Sequence, residues 1–377
     1  MTDLPRARLK ERPEDFVVEE IPAYEPAGSG THVYVRFTKT DRTTLDAVRA
    51  IARALSCEPR AAGFAGMKDR RAVTTQTISL EAPRGVDPLD LARRARDLAL
   101  EGLVVHAATP HGNKLKPGHL AGNRFAIALR GVPTDRVPEV TGALEKVARD
   151  GVPNAFGAQR FGAAGDNAER AMAWLRGRER PPRDPRIQRL LWSSLQSAVF
   201  NAVLGERVGD GSWASVLEGD LLKVRTSGGL FVCADVQTDR IRAATGEVSP
   251  TGPIIGAKMR WPEGAAAAIE RRVANATLGE DFDLAKTRSL GEGSRRALRL
   301  WVDELRWDVA PETHADVADN RNPVGTATTC VRVYFVLPKG AYATTVLGAA
   351  VTLEERAARE DTGDAQDPAN GQREDET

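Results

Sequence analysis

Residues 31 to 39, THVYVRFTK, alternate apolar and polar side chains with several β-branched members, the period of a half-buried strand. The period then changes. In TTLDAVRAIARAL (43 to 55), Leu45, Val48, Ile51, Ala52 and Leu55 recur at helical spacing, with Pro59 beyond the end. The run RAVTTQTISL is rich in β-branched residues and predicts a strand entered directly from Asp69. A second helix is predicted over DPLDLARRARDLAL (87 to 100), and a strand over NRFAIALRG (123 to 131), where Phe125, Ile127 and Leu129 share a face. CVRVYFVLP (330 to 338) is apolar on both faces and predicts a central strand. Between these β-rich ends the texture differs. RGRERPPRDPRIQR (176 to 189) carries six arginines against two acids and reads as a linker or basic hinge, either solvated or in contact with an RNA backbone. A long helix, IQRLLWSSLQSAVFNAVLGERV, follows, then a Gly-rich β region from about 211 to 261 and helices near 264 to 275 and 292 to 304.

The 377 residues suggest about two domains. Hydrophobic residues make up 41% and charged residues 28%, and no apolar run approaches the roughly 20 residues of a membrane helix. The first residues, MTDLPRARLKERPEDF, are charged with no apolar segment behind them, so neither a secretory signal nor a membrane anchor is expected, and the cytoplasm is the expected compartment. Cys57, Cys233 and Cys330 lie far apart and read as core residues. The five histidines (His32, His106, His111, His119, His314) fit no metal spacing, so no metal site is expected. The net charge of +1 conceals an asymmetry: Glu354 to Thr377 holds nine acids against three arginines, which leaves +7 on the rest. That tail has almost nothing apolar and is expected to be disordered, and the mildly basic body permits RNA binding.

The chemistry-bearing stretch is GFAGMKDRRAVTTQ (63 to 76), where Asp69 stands between Lys68 and two arginines, Arg70 and Arg71, beside a buried-looking Met67. A surface turn, an anion site and a carboxylate kept ionised for chemistry are all open readings. On an extended segment neighbours point to opposite faces, so Lys68 and Arg70 are expected to leave any pocket that Asp69 enters, and its cationic partner should come from elsewhere. The two glycines are read as letting the loop turn tightly.

Together with PEDFVVEE (13 to 20), KLKPGHLAGNRF (114 to 125), GVPNAFGAQRFG (151 to 162) and LPKGAYATTVL (337 to 347), that stretch resembles the TruD family of pseudouridine synthases, with the motifs in the family's order from about Lys10 to Leu347. The middle third matches weakly, through SLQSAVFN and PTGPIIG. The resemblance implies an α/β (α+β) fold with a mixed, mainly antiparallel sheet, interrupted by an inserted second α/β domain, with RNA in the cleft between them. The chain then divides into 1 to 178 and 311 to 353 for the catalytic domain, 179 to 310 for the insert, and 354 to 377 for the acidic tail. It implies isomerisation of a uridine to pseudouridine, at position 13 in the D-arm of tRNA for bacterial members, by a monomer that needs no cofactor. A related synthase acting on rRNA or mRNA, and a non-catalytic RNA-binding protein or chaperone on the same scaffold, are the alternatives.

By the same resemblance Asp69 is the catalytic carboxylate, either attacking C1′ or removing a proton at C2′. Lys10 matches a basic position and is the candidate partner of Asp69. Phe16 and Tyr342 match aromatic positions that a flipped uracil could stack on, Asn154 a polar group that could read its edge, and Phe156 an aromatic support for the pocket floor. The bland reading of Phe16 and Tyr342 is core packing. The chain departs from the family pattern at Arg71, where many members have His, at Ala155 in place of an aromatic, and at Gly348 and Ala349 in place of an Arg-Glu pair.

Overall fold

The structure, a computed structural model, describes residues 3 to 312 and 327 to 355. The expected His314 and most of the expected tail, 356 to 377, lie outside the described residues.

The chain opens with strands β1 (Arg6–Leu9), β2 (Phe16–Pro22) and β3 (His32–Thr40), then helix α1 (Thr44–Ala54). Strands β4 (Gly63–Phe64) and β5 (Val73–Glu81), helix α2 (Pro88–Arg96), and strands β6 (Leu103–His111) and β7 (Leu120–Pro133) complete the first segment. Helix α3 (Val137–Asp150), strand β8 (Val152–Pro153) and helices α4 (Asn167–Leu175) and α5 (Pro185–Gly209) lead to a second region. That region holds β9 (Leu221–Val224), β10 (Leu230–Val232), helix α6 (Val236–Ala244), β11 (Val248–Ile254), helix α7 (Gly264–Leu278) and β12 (Ser294–Ala297). Strands β13 (Arg299–Leu300), β14 (Asp303–Pro311) and β15 (Thr328–Pro338), helix α8 (Ala343–Leu347) and β16 (Thr352–Glu355) bring the chain back.

A ten-stranded mixed sheet runs β14-β15-β7-β2-β5-β3-β6, with β1, β16 and β4 paired off this path. Only the β2 to β5 and β1 to β16 pairings are parallel among its described ladders. β15 is central, with Val331 opposite Val309 on one side and Leu129 on the other, as its two apolar faces require. Helices α1 and α2 cover one half of this sheet, where Val48, Ile51 and Leu91 meet Val35, Phe37 and Ile78. Helices α3 and α8 cover the other, where Leu144 and Val346 pack with Phe125, Ile127 and Val333. The smaller sheet, β10-β9-β11-β12, comes wholly from residues 221 to 297, and the pairing of β13 with β8 links the segments that flank it.

Several expectations change. The segment near 292 to 304 is not helical but forms β12, β13 and the start of β14. Its buried Leu298, Leu300 and Val302 in fact alternate, and β12 completes the ladder of β11, with Thr251 opposite Ala297. Arg295 is buried there because Glu270 of α7 answers it with two hydrogen bonds of 2.5 and 2.7 Å. The basic hinge ends at Asp184, whose carboxylate caps α5 at the Arg186 amide, so Pro185 to Arg189 are its first turn. Helix α6 interrupts the Gly-rich β region, capped by Asp235. The last strand reaches Glu355, two residues into the stretch expected as tail, because residues 352 to 355 pair in parallel with Arg6 to Leu9. Cys57, Cys233 and Cys330 are all buried, and no described helix is long and apolar enough to cross a membrane.

Candidate active site

Asp69 does not enter β5 directly. It lies four residues before Val73, in a loop held from beneath by buried polar groups. Lys68 donates its backbone N–H to Thr44 Oγ1 (2.9 Å), and that hydroxyl donates to Gln76 Oε1 (3.0 Å). The Lys68 ammonium turns away to Glu20 Oε2 (2.9 Å), while Glu20 Oε1 accepts the Thr77 N–H (3.2 Å). Lys39, fully buried in β3, donates to the Asp69 carbonyl oxygen at 2.7 Å. A carboxylate on a loop fixed this way is preorganised, because little backbone freedom remains to be lost in a reaction.

The carboxylate itself is half exposed, at 49% of its side chain, and Lys10 Nζ lies 2.9 Å from its Oδ2. Lys10 follows β1 with a left-handed φ of 58°, an unfavourable conformation for a lysine, and its ammonium sits 4.4 Å from the centroid of the Phe16 ring. The chain thus brings Lys10, Phe16 and Asp69 together. Phe16 is 5% exposed and packs edge-on to Phe125, which stacks on Phe335, so its ring is part of the core. Met67, which looked buried, is 73% exposed two residues from Asp69. Arg70 is exposed, and Arg71 donates to the Glu11 carbonyl (2.6 Å). Neither loop glycine has a positive φ. Gly63 is required by close approach instead, since a Cβ there would lie 2.2 Å from the Leu115 oxygen.

Asn154, Phe156 and Tyr342 form a second group around Arg296 of β12. The Arg296 guanidinium donates to Asn154 Oδ1 (2.6 Å), to the Asn154 carbonyl (3.2 Å) and to the Gly340 carbonyl (3.1 Å). It also stacks over Phe156 at 4.2 Å, and Phe156 packs edge-on to Phe200 of α5. Burial lowers the Arg296 pKa to about 10, partly opposed by Tyr342. It stays charged near neutrality with only neutral acceptors, and among the described residues no carboxylate lies within ion-pair distance of it. Asn154 also donates to the Ala297 carbonyl (2.8 Å), which leaves its amide one N–H and one lone pair free. Asn154, Phe156 and Arg296 line a groove of about 880 Å³ between the two sheets with Lys223, Arg225 and Lys339. Strand β7 joins the two groups, for Ile127 pairs with Phe16 while Gly122 pairs with Pro338, four residues before Tyr342.

Sequence reasoning missed Glu20, Lys39, Thr44 and Arg296. Glu20 lies inside a quoted motif and was available there. Lys39 and Arg296 carry no local signal, because a lysine in an alternating strand and one arginine of a pair both read as surface charge. Among the described residues no group of three or more His, Cys, Asp or Glu converges as a metal ion would require. At two of the departures the backbone is hydrogen-bonded: the Ala155 carbonyl accepts from Thr345 Oγ1 (3.4 Å) and the Gly348 N–H donates to Thr344 O (2.9 Å).

Comparison with known proteins gives a consistent result. The family model for tRNA pseudouridine synthase D (TruD) matches residues 2–175 and 182–349. A tRNA pseudouridine synthase D of Anaeromyxobacter sp. (strain Fw109-5) is 43% identical over 344 residues, covering 90% of each chain. That of Thermus thermophilus is 36% identical over 93% of this chain and 91% of its own. A crystal structure described as the TruD of Methanosarcina mazei superposes with a TM-score of 0.71 at 23% identity, over 93% of this chain and 94% of that one, and so shares the fold.

Proposed function

The chain belongs to the TruD family of tRNA pseudouridine synthases, and from that membership we propose that it isomerises the uridine at position 13, in the D-arm of tRNA, with Asp69 as the catalytic carboxylate. In this reaction the N1–C1′ bond of uridine breaks, the base turns, and C5 bonds to C1′. N1 gains a proton and C5 loses one, so the change is an isomerisation.

The ion pair of Asp69 with Lys10 at 2.9 Å carries the site assignment. The Lys10 ammonium holds this carboxylate in place for either scheme, attack at C1′ or proton removal at C2′. The half-exposed carboxylate remains open to a ribose while its backbone is fixed. The uracil leaves the RNA stack, meets Tyr342, and is read by the free N–H and lone pair of Asn154. Phe156 supports Arg296, and buried Phe16 serves as the floor under Lys10 rather than as a stacking face. RNA lies in the groove between the sheets, whose Lys223, Arg225 and Lys339 face phosphates. Residues 179 to 310 act as the inserted domain that forms its second wall. The enzyme works as a monomer in the cytoplasm, where its substrate is.

Asp69→Asn is the decisive variant. It should abolish pseudouridine formation, by a factor of roughly 1,000 or more, while tRNA binding holds; undiminished turnover would remove Asp69 from the mechanism. Pseudouridine mapped across all RNAs of a deletion strain tests the substrate. Loss at the D-arm uridine supports the proposal, loss only in rRNA or mRNA replaces the substrate, and no loss anywhere favours an RNA-binding role without catalysis.

A further inference from the structure

We propose that Lys39 is a positioning residue for the reaction, its buried ammonium fixing the backbone of Asp69 through the Asp69 carbonyl, and that loss of its proton at alkaline pH loosens this hold and slows the chemical step. The inference rests on the reading of Asp69 as the catalytic carboxylate.

Lys39 is fully buried, with its backbone between Thr74 of β5 and Leu103 of β6. Among the described residues its ammonium makes one hydrogen bond, to Asp69 O at 2.7 Å, and no carboxylate lies within ion-pair distance. An ammonium buried without a paired carboxylate is costly, and an apolar side chain of similar length would fill the space without that penalty. The acceptor is what the charge serves. It belongs to Asp69 itself, whereas the Thr44 contact holds the N–H of Lys68, and the Glu20 contact its side chain. A shift of that carbonyl therefore moves the carboxylate.

The charged groups that face Lys39 are Asp69 and Lys68 from the loop and Asp41 from the end of its own strand. Burial lowers its pKa to about 8, with Asp69 and Asp41 opposing and Lys68 reinforcing the shift. The group is charged at neutrality and loses its proton a little above it. A charged donor binds a carbonyl about twice as strongly as a neutral one, and a misplacement of about 1 Å costs roughly 100-fold in rate.

The test is single-turnover pseudouridine formation by the full chain on tRNA, from about pH 6 to about pH 9.5, for the wild type, Lys39→Met, Lys39→Arg and Asp69→Asn. The wild type should lose rate with a midpoint near pH 8. Lys39→Met should be slowed about ten- to a hundredfold, bind tRNA within about threefold of wild type, and lack the alkaline decline. Lys39→Arg, charged throughout, should extend the plateau upward by about one pH unit or more. A wild-type rate and decline in Lys39→Met overturns the inference. So does a decline unmoved in Lys39→Arg, which would assign it to the uracil N3–H. Should both variants fail to fold, the wild-type profile decides: a decline near pH 8 supports the inference and a flat profile overturns it. Activity in Asp69→Asn would instead overturn the premise, whereas an inactive Asp69→Asn beside an unaffected Lys39→Met overturns only the role of Lys39.

Discussion

Lys10 Nζ lies 2.9 Å from Asp69 Oδ2 although 59 positions separate the two residues in the chain. The ion pair forms because Lys10 leaves β1 in a left-handed conformation, φ 58°, that lays its side chain over Phe16 and toward the loop. Strain of this kind, about 1 to 3 kcal/mol, persists only where surrounding structure enforces it. Lys10→Met should lower single-turnover activity about ten- to a hundredfold with tRNA affinity nearly unchanged, since it removes the cation that holds Asp69 and not a wall of the groove. The pair is half exposed on the Asp69 side, so global stability should change by no more than about 1 kcal/mol in urea unfolding. Full activity in Lys10→Met would show that Asp69 needs no partner.

Arg296 and Asn154 should behave as one unit. Arg296→Ala removes three hydrogen bonds and releases the Asn154 amide, so tRNA affinity should fall about tenfold or more. Arg296→Lys should not restore it, because a point charge cannot replace a fork that reaches two oxygens of Asn154 and one of Gly340. A double-mutant cycle of Arg296→Ala with Asn154→Ala should give a coupling of about 1 kcal/mol or more in binding. Additive effects would mean that Arg296 acts on RNA by itself.

Lys39 links stability to pH in the sense opposite to its proposed effect on rate. Its folded pKa is lowered from 10.5 to about 8, so between those values the unfolded chain holds a proton that the folded chain has released. Stability from this group therefore rises with pH across that window, by at most about 3 kcal/mol, and below pH 8 both states are protonated and the fold carries the full burial penalty. Urea unfolding of wild type against Lys39→Met should show a difference that narrows as pH rises from 8 to 10. A constant difference would mean that Lys39 does not titrate in this range.

The C-terminal strand and the acidic segment after it should separate in a truncation series. Ending the chain at Glu355 keeps the pairing of Thr352 to Glu355 with β1, so turnover and melting temperature should match the full chain. Ending it at Val351 strips that partner from β1 and should lower the melting temperature by several degrees, a loss of about 1 to 2 kcal/mol. A large drop in turnover for the first truncation would show that the acidic segment docks on the enzyme.

Hydrophobic periodicity alone placed β3, α1, β7, β15 and α5 correctly, because each buries one face or both against a neighbour and the pattern records which. It misplaced β12 and β13, where buried Arg295 and Arg299 broke the apolar alternation and hid it from a reading based on side-chain polarity. The motif in which Asp69 stands left a surface turn, an anion site and a chemical carboxylate open until the resemblance singled out Asp69, and the idea of a distant cation could be argued from the geometry of extended chains. Which cation it would be came only from the resemblance, which named Lys10, since composition and periodicity do not separate it from other lysines.

What the sequence determined by itself is therefore local: the periods of strands and helices, and the motifs that ally the chain with its family. What only the tertiary structure decided is the setting of charge. Lys39 and Arg296 read as solvated residues until the strands pair, when one is sealed under Asp69 and the other against Asn154 and Phe156. The physical reason is that the energy of a charge depends on its solvent and its partners, and both are fixed by contacts between residues far apart in the chain.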